Sequence, residues 1–188
     1  MYNEMLNMRG QKVRNLYKNL DNWLSNQNIN SLMSQSIKAE ELFRKVGITF
    51  NVYGEDEAEE RLIPFDLMPR IIDSKEWGFI EKGITQRLIA LNMFLEDIYS
   101  KQNIVKENII PSKLINNNAA FLPEMCDFKP PGGIYTHISG IDLVRTSEKN
   151  FFVLEDNLRV PSGASYMIEN RSTMMHMFPE LFTIYNVK

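Results

Sequence analysis

Phe151-Phe152-Val153-Leu154-Glu155-Asp156-Asn157-Leu158-Arg159-Val160-Pro161-Ser162-Gly163 is the stretch on which the reading of this chain turns. An apolar run long enough for a strand ends in two acids, an amide and an arginine, and then enters a small-residue loop. Strands normally stop in neutral turn residues, so this one delivers ligand atoms to a defined place. With a side-chain period of two, Glu155 and Asn157 share one face and Asp156 takes the other.

The preceding segment supplies a partner. Gly140-Ile141-Asp142-Leu143-Val144-Arg145 is a second apolar run, separated from the first by the turn-prone Thr146-Ser147-Glu148-Lys149-Asn150. The pattern predicts a β-hairpin. Pairing Thr146 with Phe151 across the loop Ser147 to Asn150 sets Asp142 directly opposite Glu155, on the same side. Opposed carboxylates repel, and a cation between them removes the conflict. Two acids and an amide form an oxygen donor set that suits Mg²⁺. Arg159, two residues past the amide, can meet a phosphate or a developing oxyanion with both of its nitrogens. Solvated turn residues and a surface salt bridge at Arg159 would explain the same letters.

Downstream, Pro161-Ser162-Gly163-Ala164-Ser165 leads into a helical pattern starting near Tyr166. Ser162 and Gly163 can there offer backbone amides to an anion, while Ser165 reads equally as a helix cap. Lys129-Pro130-Pro131-Gly132-Gly133 is a turn that opens a strand at Ile134. Its glycines would admit a phosphate, but it is not a Walker sequence. His137 is expected within that strand.

The rest of the chain predicts an α+β protein. Gln11 to Leu24 and Lys38 to Lys45 have helical spacing, separated by the polar break Ser25 to Asn28 and closed by Gly47. Ile48 to Tyr53 alternates like a strand, and the acidic run Glu55 to Glu60 reads as a solvated loop. Ile63 to Ile72, interrupted by Pro64 and Pro69, is extended. Asp73 with Glu76 is an Asp version of the capping box. The stripe Trp77, Ile80, Ile84, Leu88, Leu91, Leu95 and Ile98 then marks a long helix, placed at 73–101, with a core-facing side. Pro111 starts a short helix. The division is a helical segment over 1–46 and a sheet-bearing part over 47–188, with the metal-site hairpin at 134–157.

Composition excludes several classes. The chain has 188 residues, 44% of them hydrophobic, and a net charge of −3. That charge leaves no basic footprint for nucleic acid or an anionic membrane. No apolar run reaches the length of about 18 residues that a membrane span requires. One cysteine, Cys126, cannot form an intrachain disulfide and suits a reducing, cytoplasmic setting. His137 and His176 with that distant cysteine do not make a zinc cluster.

Asp142 followed thirteen residues on by Glu155-x-Asn157-x-Arg159 resembles the metal-binding end of the ATP-grasp fold. The resemblance extends through Tyr53-Gly54, Ile63-Pro64-Phe65-Asp66-Leu67-Met68-Pro69-Arg70-Ile71-Ile72, Arg87 to Tyr99, and Pro130-Pro131-Gly132-Gly133-Ile134-Tyr135. It continues from His137 through Arg159 to Glu169-Asn170-Arg171 and Phe178-Pro179-Glu180-Leu181-Phe182. These segments are similar to the circularly permuted ATP-grasp type 2 proteins, whose relatives include glutathionylspermidine-synthase-like amide ligases. The resemblance implies a partial, N-terminal portion of that fold: N-terminal helices, a mixed or antiparallel sheet and a metal-site hairpin. It also implies Mg²⁺ on Asp142, Glu155 and Asn157, ATP as cofactor, and a carboxylate and an amine as substrates. Arg159 would stabilise transition-state charge. Family members run to several hundred residues. The expectation is therefore a fragment that carries the Mg-binding half of the site, is inactive alone, and associates with a missing C-terminal half. The other reading is a non-catalytic truncated chain or a metal- or nucleotide-binding interaction module.

Overall fold

The polar break at Ser25 to Asn28 separates two helices in the computed structural model, which describes residues 2–6, 12–51 and 60–187. Helix α1 is Lys18–Ser25, preceded by a short 3-10 turn at Asn15–Tyr17. Helix α2 is Ile29–Val46, about two and a half turns longer at its start than the spacing from Lys38 predicted. Asn28 accounts for the difference. Its side chain accepts the Asn30 N–H at 2.8 Å and caps the helix. The added turns carry no core stripe, since Ile29, Met33 and Ile37 are all exposed. The helix stops as predicted at Gly47, whose φ of 77° is the left-handed C-terminal geometry that glycine adopts freely.

Strands β1 (Thr49–Asn51) and β2 (Glu60–Leu62) pair antiparallel, with Thr49 opposite Leu62 and Asn51 opposite Glu60. Tyr53-Gly54 and the acidic run up to Glu59 lie outside the described residues. The segment 63–72 has no regular secondary structure, as its prolines require. Phe65 meets the Phe43 ring edge-on at 5.3 Å, and the Ile71 N–H donates to the Tyr17 hydroxyl at 3.1 Å.

Helix α3 (Ser74–Ile98) starts next to Asp73. Ile80 and Ile98 are buried and Ile84, Leu88, Leu91 and Leu95 are half-buried, so the predicted stripe does face inward. Trp77 is the exception, at 54% exposed. The helix ends three residues before the expected boundary. Asp97 takes the N–H groups of Asn103 and Ile104 at 3.0 and 2.9 Å and starts α4 (Asn103–Lys106). Helix α5 (Ser112–Asn116) follows Pro111 as predicted.

No strand forms at Ile134, and His137 sits in an exposed bend. The physical reason is a competing partner. Asn92 of α3 accepts the Tyr135 N–H at 2.8 Å and donates to the Thr136 hydroxyl at 3.1 Å, which ties this segment to a side chain instead of a ladder. The hairpin is therefore shorter than 134–157, consisting of β3 (Gly140–Arg145) and β4 (Phe151–Asn157). Helix α6 (Ser162–Met177) begins at Ser162 instead of near Tyr166, with Pro161 and not Ser165 at the cap position. Proline's fixed φ and missing N–H suit a helix start. Helix α7 is Pro179–Tyr185. Helices with two small antiparallel sheets make the described structure α+β. No described helix is long and apolar enough to cross a membrane.

The backbone divides into two compact units. The first comprises 1–73, 143–153 and 161–188. Its core gathers Tyr17, Leu20, Met174, Phe178 and Leu181, with Trp23 edge-on to Phe178 at 5.1 Å. Fully burying each of these large side chains contributes about 1.5–3 kcal/mol. The second unit comprises 74–142 and 154–160. Its core is Ile98, Tyr99 and Ile115, with the Tyr99 ring stacked on Phe121 at 5.1 Å.

Candidate functional site

The hairpin turn is closed by the Thr146 N–H, which donates to the Asn150 carbonyl at 3.1 Å. In an antiparallel ladder that bond belongs to the register pairing Arg145 with Phe151. The Arg145 guanidinium indeed lies over the Phe151 ring, at 4.8 Å. The register is thus shifted by one residue from the Thr146–Phe151 pairing expected from the sequence.

At the other end of the sheet the strands stop at Gly140 and Asn157, so β3 supplies six residues against seven in β4. Along β4, exposed and half-buried residues alternate until Leu154 and Glu155, which are both exposed. Asp142, Val144, Phe152, Leu154 and Glu155 are exposed, whereas Ile141, Leu143, Arg145, Phe151, Val153, Asp156 and Asn157 are half-buried.

Asp156 has its own partner. Arg87 of α3 holds it with two nitrogens: Nε lies 2.7 Å from Oδ1, and Nη2 lies 2.6 Å from Oδ2. Hydrogen bonding to Arg87 pulls the Asp156 carboxyl below its usual range against the opposing effect of desolvation. The same bond raises the pKa of Arg87. Sequence reasoning did not single out Arg87. The available signal was Asp156 itself, an acid at a strand end that needs a cation.

The sequence-predicted residues are distributed as follows. Asp142, Glu155 and Asn157 belong to the end of the hairpin away from its turn, and none has a side-chain hydrogen bond or ion pair among the described residues. Arg159 lies two residues beyond β4 in an exposed bend. Ser162 and Gly163 are the first two residues of α6 and are exposed. A Cβ built on Gly163 would meet nothing within 4 Å. Two surface depressions, of about 330 and 440 Å³, are lined by residues around Trp23 and along α3, and by none of these six. The candidate site is therefore an open strand end.

Its donor chemistry fits a hard divalent cation. Two carboxylates and an amide oxygen provide oxygen ligands alone and leave room for water and phosphate oxygens, as Mg²⁺ prefers. Among the described residues no group of three or more His, Cys, Asp or Glu side chains converges.

Comparison with known proteins agrees with this architecture. The profile described as "Circularly permuted ATP-grasp type 2" matches residues 69–188. An uncharacterized protein of Synechocystis sp. is 51% identical over 137 residues, covering 73% of this chain and 28% of that protein. An uncharacterized protein of Mycobacterium leprae is 41% identical over 187 residues, covering 100% of this chain and 32% of that protein. A Frankia casuarinae protein, provisionally named glutamate–cysteine ligase 2-2, is 41% identical over 135 residues, covering 72% of this chain and 15% of that protein. The chain thus spans about a third or less of the curated relatives it matches. It belongs to the circularly permuted ATP-grasp type 2 family.

Proposed function

We propose that this chain carries the Mg²⁺-binding part of an ATP-dependent carboxylate–amine ligase. The observation that carries the reading is the uncommitted oxygen set Asp142, Glu155 and Asn157 on the β3–β4 hairpin, in a chain of ATP-grasp ancestry. The name of the Frankia relative supports amide-bond chemistry. In the proposed reaction the γ-phosphoryl group of ATP passes to a substrate carboxylate, and an amine then displaces phosphate from the acyl phosphate. Mg²⁺ would neutralise phosphate charge during that transfer. Arg159 is exposed and positively charged, and its role is to stabilise the negative charge on the transferring group. Ser162 and Gly163 present free backbone N–H groups at the start of a 16-residue helix, a geometry suited to a phosphate. Turnover, substrates and any association with further polypeptide belong to this proposal for the longer family members.

The test is thermal unfolding with and without Mg²⁺–ATP, for the wild type and Glu155→Ala. Ligand at a hundred times its Kd adds about 2.7 kcal/mol. For a chain of this size that corresponds to roughly 5–10 °C. The expected result is a shift present in the wild type and absent in Glu155→Ala. An equal shift in both proteins, or none in either, would sink the reading.

A further inference from the structure

Glu155 and Asn157 lie at the end of β4, where the ladder stops, so the direction of these ligands needs another constraint. Between them stands Asp156, and both of its carboxylate oxygens are engaged by Arg87. We infer that Arg87 is a positioning residue for the cation site, acting through Asp156. It grips the end of β4 through Asp156 so that Glu155 and Asn157 are held for the cation. This inference rests on the proposed metal-binding role of Asp142, Glu155 and Asn157.

Three features argue for it. First, the contact is bidentate, with Nε to Oδ1 at 2.7 Å, Nε to Oδ2 at 3.0 Å and Nη2 to Oδ2 at 2.6 Å. A planar fork of this kind fixes orientation as well as distance. Second, Asp156 stands between Glu155 and Asn157 in sequence, so rotating its peptide would turn both neighbours. Third, Arg87 occupies both oxygens of the Asp156 carboxylate. Asp156 therefore cannot swing round as a competing ligand.

Electrostatics and positioning predict opposite signs, which makes the inference testable. Removing a cation near a cation site should tighten metal binding by Coulomb's law. Removing a positioning residue should weaken it, by about 10- to 100-fold for a residue one step behind the ligands. The experiment is Mn²⁺ binding to the isolated chain, followed by the electron paramagnetic resonance of the free ion, with circular dichroism as the folding control. The proteins are wild type, Glu155→Ala, Arg87→Ala, Asp156→Ala, Arg87→Ala with Asp156→Ala, and Arg87→Lys. Wild type should bind and Glu155→Ala should not. Arg87→Ala should bind about 10- to 100-fold more weakly, and the double variant no more weakly than the worse single one. Arg87→Lys keeps the charge but not the fork, and should also lose affinity. It decides the matter if Arg87→Ala does not fold. Unchanged or tighter Mn²⁺ binding in Arg87→Ala, or in Arg87→Lys, overturns the inference while leaving the site intact. Equal binding by wild type and Glu155→Ala overturns the site reading itself, and the inference with it.

Discussion

Replacing Arg145 by methionine should destabilise the first unit more than any surface substitution, and the structure sets the size of the effect. The side chain is only 3% exposed and lies 3.2 Å from the Glu4 carboxylate. It donates to the carbonyls of Glu148 and Ser147 at 2.6 and 3.1 Å, across the hairpin turn. Breaking a buried ion pair on one side costs about 3–5 kcal/mol, because the other charge is left behind. That figure needs a discount here, since Glu4 is 18% exposed and Arg14 remains 3.5 Å from it. The lost hydrogen bonds to the turn carbonyls act in the opposite direction. A net cost of about 2–3 kcal/mol follows, or roughly 5–10 °C in Tm for a chain of this length. The assay is thermal unfolding together with hydrogen exchange at the Thr146 amide, whose bond to Asn150 closes the turn. Arg145→Met should lower Tm and deprotect that amide. Adding Glu4→Gln should return part of the loss, because the carboxylate that has lost its 3.2 Å partner is then uncharged. A drop below about 2 °C, or purely additive variants, would refute the argument.

Two further outcomes are expected. The Asp97 carboxyl is lowered from its ordinary value of 3.8, first by the Ile104 N–H and then by that of Asn103. Its folded-state pKa therefore lies below its unfolded one. The stability it contributes is full well above 3.8 and is lost as pH falls through the lower folded value. Asp97→Asn should flatten the acid limb of a stability–pH curve, and an unchanged limb would contradict the capping role. Gly47→Ala forces an L-residue to a φ of 77° and should cost about 1 kcal/mol. Urea unfolding would show this as a lower midpoint at constant slope.

Periodicity and punctuation made most of the helices legible. Asp73, the stripe after it, Gly47 and Pro111 each mark a boundary by local chemistry, and the structure follows them closely. The start of α2 was missed because a single asparagine cap with no apolar stripe behind it leaves no period to read. The strand expected at Ile134 failed for a long-range reason, since nothing near Tyr135 in sequence announces Asn92 as its partner. At the candidate site, residue types and the two-residue period single out Glu155 and Asn157 as candidates. The turn register was not legible, because connections that differ by one residue have the same turn-prone letters. Arg87 was hidden for a related reason: its partner is 69 residues away.

Tyr185 donates no obvious signal in sequence, yet its hydroxyl receives the Leu20 N–H at 2.8 Å, across 165 residues. That amide is one of the orphan donors of the first turn of α1, whose own N-cap residue provides no side-chain bond. The consequence concerns the order of synthesis. At about 5–20 residues per second, α1 leaves the ribosome roughly 8–33 s before the tyrosine that completes its first turn. The core around Tyr17 and Leu20 waits for the same late residues, Met174, Phe178 and Leu181. Among the described residues of the first unit, the first turn of α1 is thus completed by a residue of α7.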